Sequence, residues 1–183
     1  MTAPWSHCYR VARDKGLVSA LTELPPVSGA GGHALVPRGA VPTGAAELCS
    51  FILPDGEVVA IKGAEPADAS SALGLVWLRL GLSEALRDEV MRHLHGRRLL
   101  RHQMVKSDIA DGLLEHLEVR AALTGAGPGD LAGAELDRLH ARITTADRML
   151  VRLLGASGYL SDGPGQTIHV SGLLADVHQG EHL

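Results

Sequence analysis

The sequence predicts a mainly α-helical protein, in which an antiparallel helical bundle follows a small N-terminal β-hairpin region. Hydrophobic residues make up 45% of the 183 residues but aromatic residues only 3%, so the core must be built from Leu, Val and Ala. Runs rich in Leu and Ala favour helix. After residue 68, apolar residues recur near the helical period of about 3.6 in long segments separated by Gly-rich stretches. We therefore divide the chain into a short region, 1–67, and a bundle, 68–183.

The N-terminal region carries signals for one helix and for strands. A short helix is predicted over Tyr9–Leu24, because the two prolines that follow would end it. One strand-like run, Ala34–Pro37, lies in a segment rich in Gly, Pro and Ala. Two apolar, β-favouring runs, Leu48–Leu53 and Glu57–Ile61, flank Pro54-Asp55-Gly56 and predict a hairpin. Since an isolated hairpin is only marginally stable, it must pack on the helices or on another subunit.

The bundle is predicted to contain three long helices and a short one. Asp68 or Ser70 would cap the first helix, and Gly96 would end it. The predicted spans are 68–95, Leu99–Leu123, Leu131–Leu154 and Thr167–Val177. On the second helix, the residues expected to share a buried face are Leu100, Val105, Ile109, Leu113, Leu117 and Ala121.

Net charge, cysteine content and hydropathy indicate which partners and which compartment to expect. A net charge of −4 and a pI near 6.2 carry no basic footprint, so no nucleic-acid partner is expected. Cys8 and Cys49 lack CxxC spacing, and two free thiols in a reducing cytosol are expected rather than a disulfide. No stretch reaches about 18 uninterrupted apolar residues and the N-terminus has no signal-like apolar core. We expect a cytoplasmic protein with no membrane partner.

Two stretches of the bundle resemble motifs of the acyl-CoA dehydrogenase family. The first runs Arg92-His93-Leu94-His95-Gly96-Arg97-Arg98-Leu99-Leu100-Arg101-His102-Gln103 and is followed by Ile109-Ala110-Asp111. It resembles the family's R-x-x-F-G-x-x-L-x-x-x-Q segment with its downstream L-A-D. The second, Gly155-Ala156-Ser157-Gly158-Tyr159-Leu160-Ser161-Asp162-Gly163-Pro164, is similar to the family's G-G-x-G-[YF]-x-x-[DE]-x-P turn. The likeness covers 68–183 and implies the family's C-terminal helical-bundle domain in a truncated, divergent chain.

The resemblance also implies where the family's catalytic base would stand. In the family a flavin takes a hydride from an acyl thioester while a Glu removes the α-proton. Without gaps, the family's Y-E-G falls on His178-Gln179-Gly180, and the amide of Gln179 cannot accept a proton. A gap of a few residues would instead bring Asp176 or Glu181 to that position. Some members carry the base near the start of the first C-terminal helix, where Glu65 and Asp68 are the nearest carboxylates here.

The residues implied to hold the flavin are only partly retained. The resemblance places Arg92 at the FAD pyrophosphate of a neighbouring subunit, a role that suits a guanidinium fork. Gln103, Gly155 and Gly158 are also kept, whereas His95 stands where the family has a stacking aromatic. Because most of the family's β-domain is missing, we expect no tightly bound cofactor, with FAD as the alternative.

Two groups of histidines raise the question of a further site. His169 and His178, near the glycine turn and the C-terminus, could form an acid–base site with Asp162 or Asp176. Three other histidines crowd the first motif, but their spacings do not converge as an i, i+4 pair would. No metal site is therefore predicted.

These features predict a truncated acyl-CoA dehydrogenase-like protein that binds an acyl or polyketide-like chain. It would act without flavin, as a non-redox cyclase or isomerase or as an accessory protein in a biosynthetic pathway. One alternative is an oxidoreductase component that completes an FAD site with a larger dehydrogenase-like subunit or across a homodimer. Another is a structural or assembly module. In each case we expect a homodimer or tetramer.

Overall fold

The structure, a computed structural model, describes residues 4–24, 32–62, 69–160 and 163–179, apart from the side chains at 4, 6, 69, 178 and 179. Its elements are, in order, α1 (Pro4–Lys15), α2 (Leu17–Leu21), β1 (His33–Pro37), β2 (Ala46–Leu53), β3 (Gly56–Lys62), α3 (Ala69–Gly96), α4 (Gln103–Leu123), α5 (Gly133–Leu153) and α6 (Pro164–Gln179). The chain is thus mainly helical with a small antiparallel sheet, and this part of the predicted fold class is confirmed.

The N-terminal helix differs from the prediction of one helix over Tyr9–Leu24. Two helices form instead, and they are separated at Gly16, whose φ is 105°. Because that backbone angle is strained for any residue with a Cβ, glycine favours the break at this position. The β2–β3 turn then holds α2 in place, since the carboxylate of Asp55 accepts a hydrogen bond from the backbone N–H of Ser19 (3.1 Å).

The predicted hairpin is confirmed, but it belongs to a three-stranded sheet. β2 and β3 pair antiparallel around the turn, and β1 adds to the other side of β3 in register from His33 opposite Lys62 to Pro37 opposite Val58. The central strand β3 is therefore buried from Val58 to Ile61, while β2 is an exposed edge.

The long helix α3 is the centre of the molecule. Its N-terminal half is apolar on most of its circumference, with Arg79 as its one charged residue, which is typical of a helix surrounded by other elements. Leu75, Leu78 and Leu82 pack in a cluster with α1, α2, the sheet and α6. Residues on another side, which include Val76 and Leu80, pack with α4 and α5. Residues from both sides of position 67 therefore share one core.

The predicted buried face of the second helix is confirmed at Leu100, Val105 and Ile109, which are partly buried against an apolar cluster, but not further along α4. Leu113 and Leu117 are 39% and 50% exposed, and the residues that face the bundle are Gly112, His116, Val119 and Leu123. The helix has two apolar stripes, and periodicity does not tell which of them meets the bundle. α4 also begins later than predicted, because Leu99–Arg101 form a 3-10 turn. By contrast, α5 follows its predicted span closely and buries Leu136, Leu139, Ile143, Ala146 and Leu150.

The state of the two cysteines agrees with the expectation of free thiols. Cys8 is buried and Cys49 exposed, and both are free thiols. Within the described segments, no helix combines the length and the apolar character that crossing a membrane would require.

Candidate functional site

A cleft of about 690 Å³ lies between α5, the turn that follows it and α6. Its apolar wall is formed by Val151, Leu160, Ile168 and Leu173. Polar and charged residues line the rest of it, namely Arg79, Thr144, Asp147, Arg148, Arg152, Gln166, His169 and Asp176. Ligand sites in proteins are typically of this size and combine apolar walls with a few polar groups.

The glycine turn after α5 shapes one side of the cleft. Gly158 is buried, and a Cβ at this position would lie 2.8 Å from the carbonyl oxygen of Val151. Only glycine therefore allows the turn to fold back onto the last turn of α5. Gly165 of α6 packs directly against this turn, since a Cβ there would collide with the carbonyl oxygen of Gly158, and Gly172 lines the cleft further along α6.

Arg79 of α3 forms the inner end of the cleft and is 1% exposed. Its Nε donates to Ser171 Oγ (3.1 Å), and its Nη2 donates to Thr144 Oγ1 (2.9 Å). Its Nη1 donates to the carbonyl oxygen of His140 (3.3 Å) and lies 3.1 Å from Nδ1 of the same residue. Burial lowers the pKa of Arg79, but a guanidinium keeps its proton in proteins. The side chain is thus a fixed positive charge that joins α3, α5 and α6.

Asp147 of α5 lines the same inner end and is 2% exposed. Burial raises the pKa of Asp147 to about 6, and the positive charge of Arg79 only partly opposes that rise. Within the described residues, neither carboxylate oxygen has a hydrogen-bond partner of good geometry. A hydrogen bond from the hydroxyl of Ser83 acts to lower the pKa of Asp147, and the same hydroxyl lies 2.7 Å from Nε2 of His116, to which it donates or from which it accepts according to the imidazole tautomer. A buried, unpaired carboxylate is costly and marks a functional candidate.

His116 lies behind Asp147 and away from the cleft lining. It is buried on α4, and this burial lowers the pKa of the imidazole to about 4. The ring is therefore neutral near pH 7. With Ser83 it forms a polar pair inside the bundle, next to the cleft but without access to it.

A second buried polar network lies between α1, α3 and α4. The carboxylate of Glu84, 3% exposed, accepts hydrogen bonds from Tyr9 (2.6 Å), Arg13 (3.2 Å) and Arg120. Arg13 also donates to Asp88 (2.6 Å). Burial alone would raise the pKa of Glu84, but the hydrogen bonds from Tyr9 and Arg120 hold it below its usual value. This network joins three helices and leaves neither oxygen of Glu84 unpaired.

The predicted acid–base residues are divided between the cleft and the chain end. His169 and Asp176 line the cleft from α6, both exposed, and the ring of His169 meets that of Phe51 edge-on with centroids 6.2 Å apart. His178 and Gln179 form the last turn of α6, but their side chains lie outside the described part. The other positions that the resemblance or the histidines suggested also fall outside it: Glu65, Asp68, Asp162, Gly180 and Glu181.

The predicted flavin residues collect at one end of the bundle but do not enclose a pocket. Arg92, His95 and Gln103 are exposed at the α3–α4 junction, and Gly155 and Gly158 lie in the turn after α5. One apolar cluster joins these junctions. Arg92 lines a separate cavity of about 450 Å³ against α1, whereas Gly158 lines the cleft. Within one chain these residues therefore do not fit an FAD.

Sequence reasoning missed Arg79 and Asp147, although a signal for each was present. Arg79 stands between Leu78 and Leu80 in an apolar helix, and Asp147 follows Ile143 by four residues on the buried face of α5. A charge inside an apolar stripe is either paired or functional.

Comparisons of the chain with models of protein families, with curated proteins and with solved structures gave no match. The resemblance to acyl-CoA dehydrogenases therefore depends on the two motifs. Among the described residues, no three His, Cys, Asp or Glu side chains are grouped so as to hold a metal ion.

Proposed function

We propose that this protein binds an acyl or polyketide-type acid in the cleft between α5 and α6. It would act on that molecule, or present it to another enzyme, without a flavin. The observation that carries the proposal is the composition of the cleft, where an apolar wall is combined with exposed arginines and a buried polar end. An apolar chain with an acidic group is complementary to this arrangement.

The arginines define where the acidic group would lie. Arg148 and Arg152 are one helical turn apart on α5, are exposed and line the cleft. Side chains at i and i+4 share a helix face, and guanidinium groups bind carboxylates or phosphates in a bidentate manner. The acid or its phosphate-bearing carrier would sit at these arginines, with the chain along Val151 and Leu173.

The remaining groups of the cleft suit proton transfer. His169 and Asp176 line it from α6, two turns apart, and Asp147 lines its inner end. A base that takes a proton from one carbon and returns it to another performs an isomerisation, and a positioned histidine or carboxylate supplies such a base. Non-redox isomerisation or cyclisation is the chemistry that these side chains support.

Calorimetry with decanoate tests the binding step. We expect saturable binding that the double substitution Arg148→Ala/Arg152→Ala weakens about tenfold or more, since a charged hydrogen bond contributes about 1.5–3 kcal/mol. Arg138→Ala is the matched control, because Arg138 lies on the exposed side of α5 and pairs with Glu135. Absence of binding by any acid in the medium-chain range, or an equal loss in the control, would refute the proposal.

An oxidoreductase component remains a second candidate function, favoured by the exposed Arg92, His95 and Gln103 at one end of the bundle. There they are accessible to another chain, a larger dehydrogenase-like subunit or a second copy, that would complete an FAD site. The visible absorption spectrum and native mass of the purified protein separate the two candidates. Stoichiometric yellow flavin would favour this function, whereas an Arg92→Ala complex with unchanged flavin content would count against it.

Self-association, or a purely structural role, is favoured by the outer surface of α4. Leu113, Leu114 and Leu117 are exposed there on consecutive turns. An antiparallel pairing of two α4 helices would bury this surface. Light scattering should show a dimer or tetramer that Leu114→Glu/Leu117→Glu converts to a monomer. A wild-type monomer at high concentration would exclude this assembly.

A further inference from the structure

We propose that one end of the helical bundle binds the surface of an anionic lipid bilayer. This end consists of residues 91–106, at the junction of α3 and α4, and residues 148–160, at the end of α5 and in the turn after it. We call these two segments the basic end. The inference goes beyond the proposed function and does not depend on what occupies the cleft.

An apolar cluster brings the two segments of the basic end together. Leu94 and Leu154 are buried in this cluster, and Leu99, Leu100 and Val105 pack against it. Because these residues of the α3–α4 junction point into the bundle, the charged residues between them face solvent. The cations of this junction are all exposed, namely Arg92, Arg97, Arg98, Arg101 and Lys106. Arg148 and Arg152 are exposed on α5.

The basic end differs in charge from the rest of the chain. Its two segments hold seven of the 17 Lys and Arg residues and none of the 21 Asp and Glu residues. The rest of the chain is therefore strongly acidic, and the net charge of −4 does not describe this end. The acidic residues that flank the segments in the sequence are Glu89, Asp108, Asp147 and Asp162.

The cations of the basic end also differ from the other arginines in their partners. Six arginines elsewhere, which include Arg13 and Arg142, form ion pairs with carboxylates. Within the described residues, no cation of the basic end forms an ion pair, and the pKa of none of them is shifted by a neighbour. These seven positive charges are therefore available to an external anion.

Large apolar side chains are exposed among these cations. Met104 is 82% exposed and Tyr159 is 69% exposed, and Leu160 also faces solvent. Apolar side chains of this kind enter the boundary between lipid headgroups and acyl chains, while neighbouring Lys and Arg residues attract anionic headgroups. The combination is typical of a protein surface that lies on a membrane without crossing it.

A bilayer fits the basic end better than a nucleic acid does. Single-stranded nucleic acids are bound through stacking on aromatic side chains, and Tyr159 is the only Phe, Trp or Tyr in the two segments. Arg97 and Arg101 line neither the cleft nor the cavity against α1, so the charge is spread over a surface rather than around a pocket. Docking would also bring the exposed cleft residues Arg152 and Leu160 to the bilayer, where apolar acids collect.

Co-sedimentation with lipid vesicles tests the inference. We expect the protein to bind phosphatidylcholine vesicles that contain about one third phosphatidylserine but not pure phosphatidylcholine, and about 0.5 M NaCl should release most of it. Arg97→Glu/Arg101→Glu should weaken binding about thirtyfold or more, since each Lys or Arg near an anionic surface contributes about fivefold. Lys62→Glu/Arg138→Glu is the matched control, because it changes the net charge equally at exposed positions outside the basic end.

A second pair of variants tests the apolar contact. Met104→Ser should remove most of the binding that remains at high salt, whereas Leu117→Ser, on the outer surface of α4, should not. No sedimentation with anionic vesicles at low salt, or an equal loss in both double variants, would refute the inference. Binding to single-stranded RNA or to polyglutamate without binding to vesicles would also overturn it. A thermal melt of each variant confirms that folded proteins are compared, and decanoate binding tests the proposed function separately.

Discussion

Each of two buried polar networks in the bundle contains a carboxylate that is closed to solvent, and the pKa values of the two carboxylates are shifted in opposite directions. Glu84 and Asp147 are 3% and 2% exposed. Glu84 accepts hydrogen bonds from Tyr9, Arg13 and Arg120, and its pKa is held low. Asp147 has at most the hydroxyl of Ser83 as a donor among the described residues, and burial raises its pKa to about 6. Burial alone thus does not identify a functional carboxylate, whereas unmet hydrogen bonding beside a cleft does.

Helix α3 supplies one side of both networks, Glu84 toward α1 and α4 and Arg79 toward α5 and α6. The Glu84 network joins three helices with its hydrogen bonds complete, as expected of a structural element. The Arg79–Asp147 network orders its cation but leaves its anion with few hydrogen bonds, and it lies beside the cleft. The three predictions below test this difference.

The largest expected effect follows from Arg79→Met. The substitution removes the hydrogen bonds to Ser171, Thr144 and His140 and takes away the cation that faces Asp147. A buried polar group that loses its hydrogen-bond partner costs about 1–3 kcal/mol, so we expect a loss of about 3 kcal/mol in the free energy of unfolding measured with urea. The exposed Arg138→Met should stay within about 0.5 kcal/mol of wild type. A loss below about 1 kcal/mol for Arg79→Met would show that the network does not hold the helices together.

The next effect contrasts the two carboxylates directly. Glu84→Gln should cost about 2–3 kcal/mol, because the amide nitrogen turns a donor toward arginines that need an acceptor. Asp147→Asn should cost nothing at pH 7 or stabilise the fold, because burial already disfavours the ionised form. Urea unfolding of both variants measures the difference. If both variants lost the same free energy of unfolding, the two networks would not differ as proposed.

The smallest expected effect is on the pH dependence of stability, to which Asp147 and His116 contribute with opposite signs. The pKa of Asp147 is raised from 3.8 to about 6, so its contribution to stability is present at low pH and is lost as pH rises through 6. The pKa of His116 is lowered from 6.5 to about 4, so its contribution is present above 6.5 and is lost as pH falls toward 4. Between about pH 4 and 6 the two slopes largely cancel in the wild-type protein.

Variants should separate these slopes. Asp147→Asn should make stability rise with pH between about 4 and 6 by up to ~1.4 kcal/mol per unit relative to wild type, and His116→Gln should make it fall. Unfolding with urea at several pH values measures both slopes. The same slope in wild type and both variants would mean that neither group titrates as its burial implies.

Much of the fold follows from local sequence patterns. The helical period located α3, α5 and α6, and the apolar runs around Pro54-Asp55-Gly56 located the hairpin. The break at Gly16 was missed because a glycine within a helical pattern does not reveal its φ. The buried face of α4 was predicted wrongly only over its C-terminal half, because Leu113 and Leu117 are as apolar as core residues although they are exposed.

The candidate site was harder to predict from the sequence than the fold was. His169 and Asp176 were found as possible acid–base residues, and the glycine turn was located correctly. Arg79 and Asp147 were visible as charges in apolar stripes, but only the packing of α3 against α5 brings them to one cleft. Whether a buried charge is paired depends on neighbours distant in sequence, which local pattern does not specify.

The most direct test of the cleft as the ligand site is to follow backbone amide NMR signals during titration with decanoate. Changes should concentrate on residues 147–152 of α5 and 165–173 of α6, while the amides of Tyr9, Glu84 and Arg120 stay unchanged. Changes confined to the exposed surface of α4 or to the Glu84 network, or none at a saturating concentration, would contradict the account.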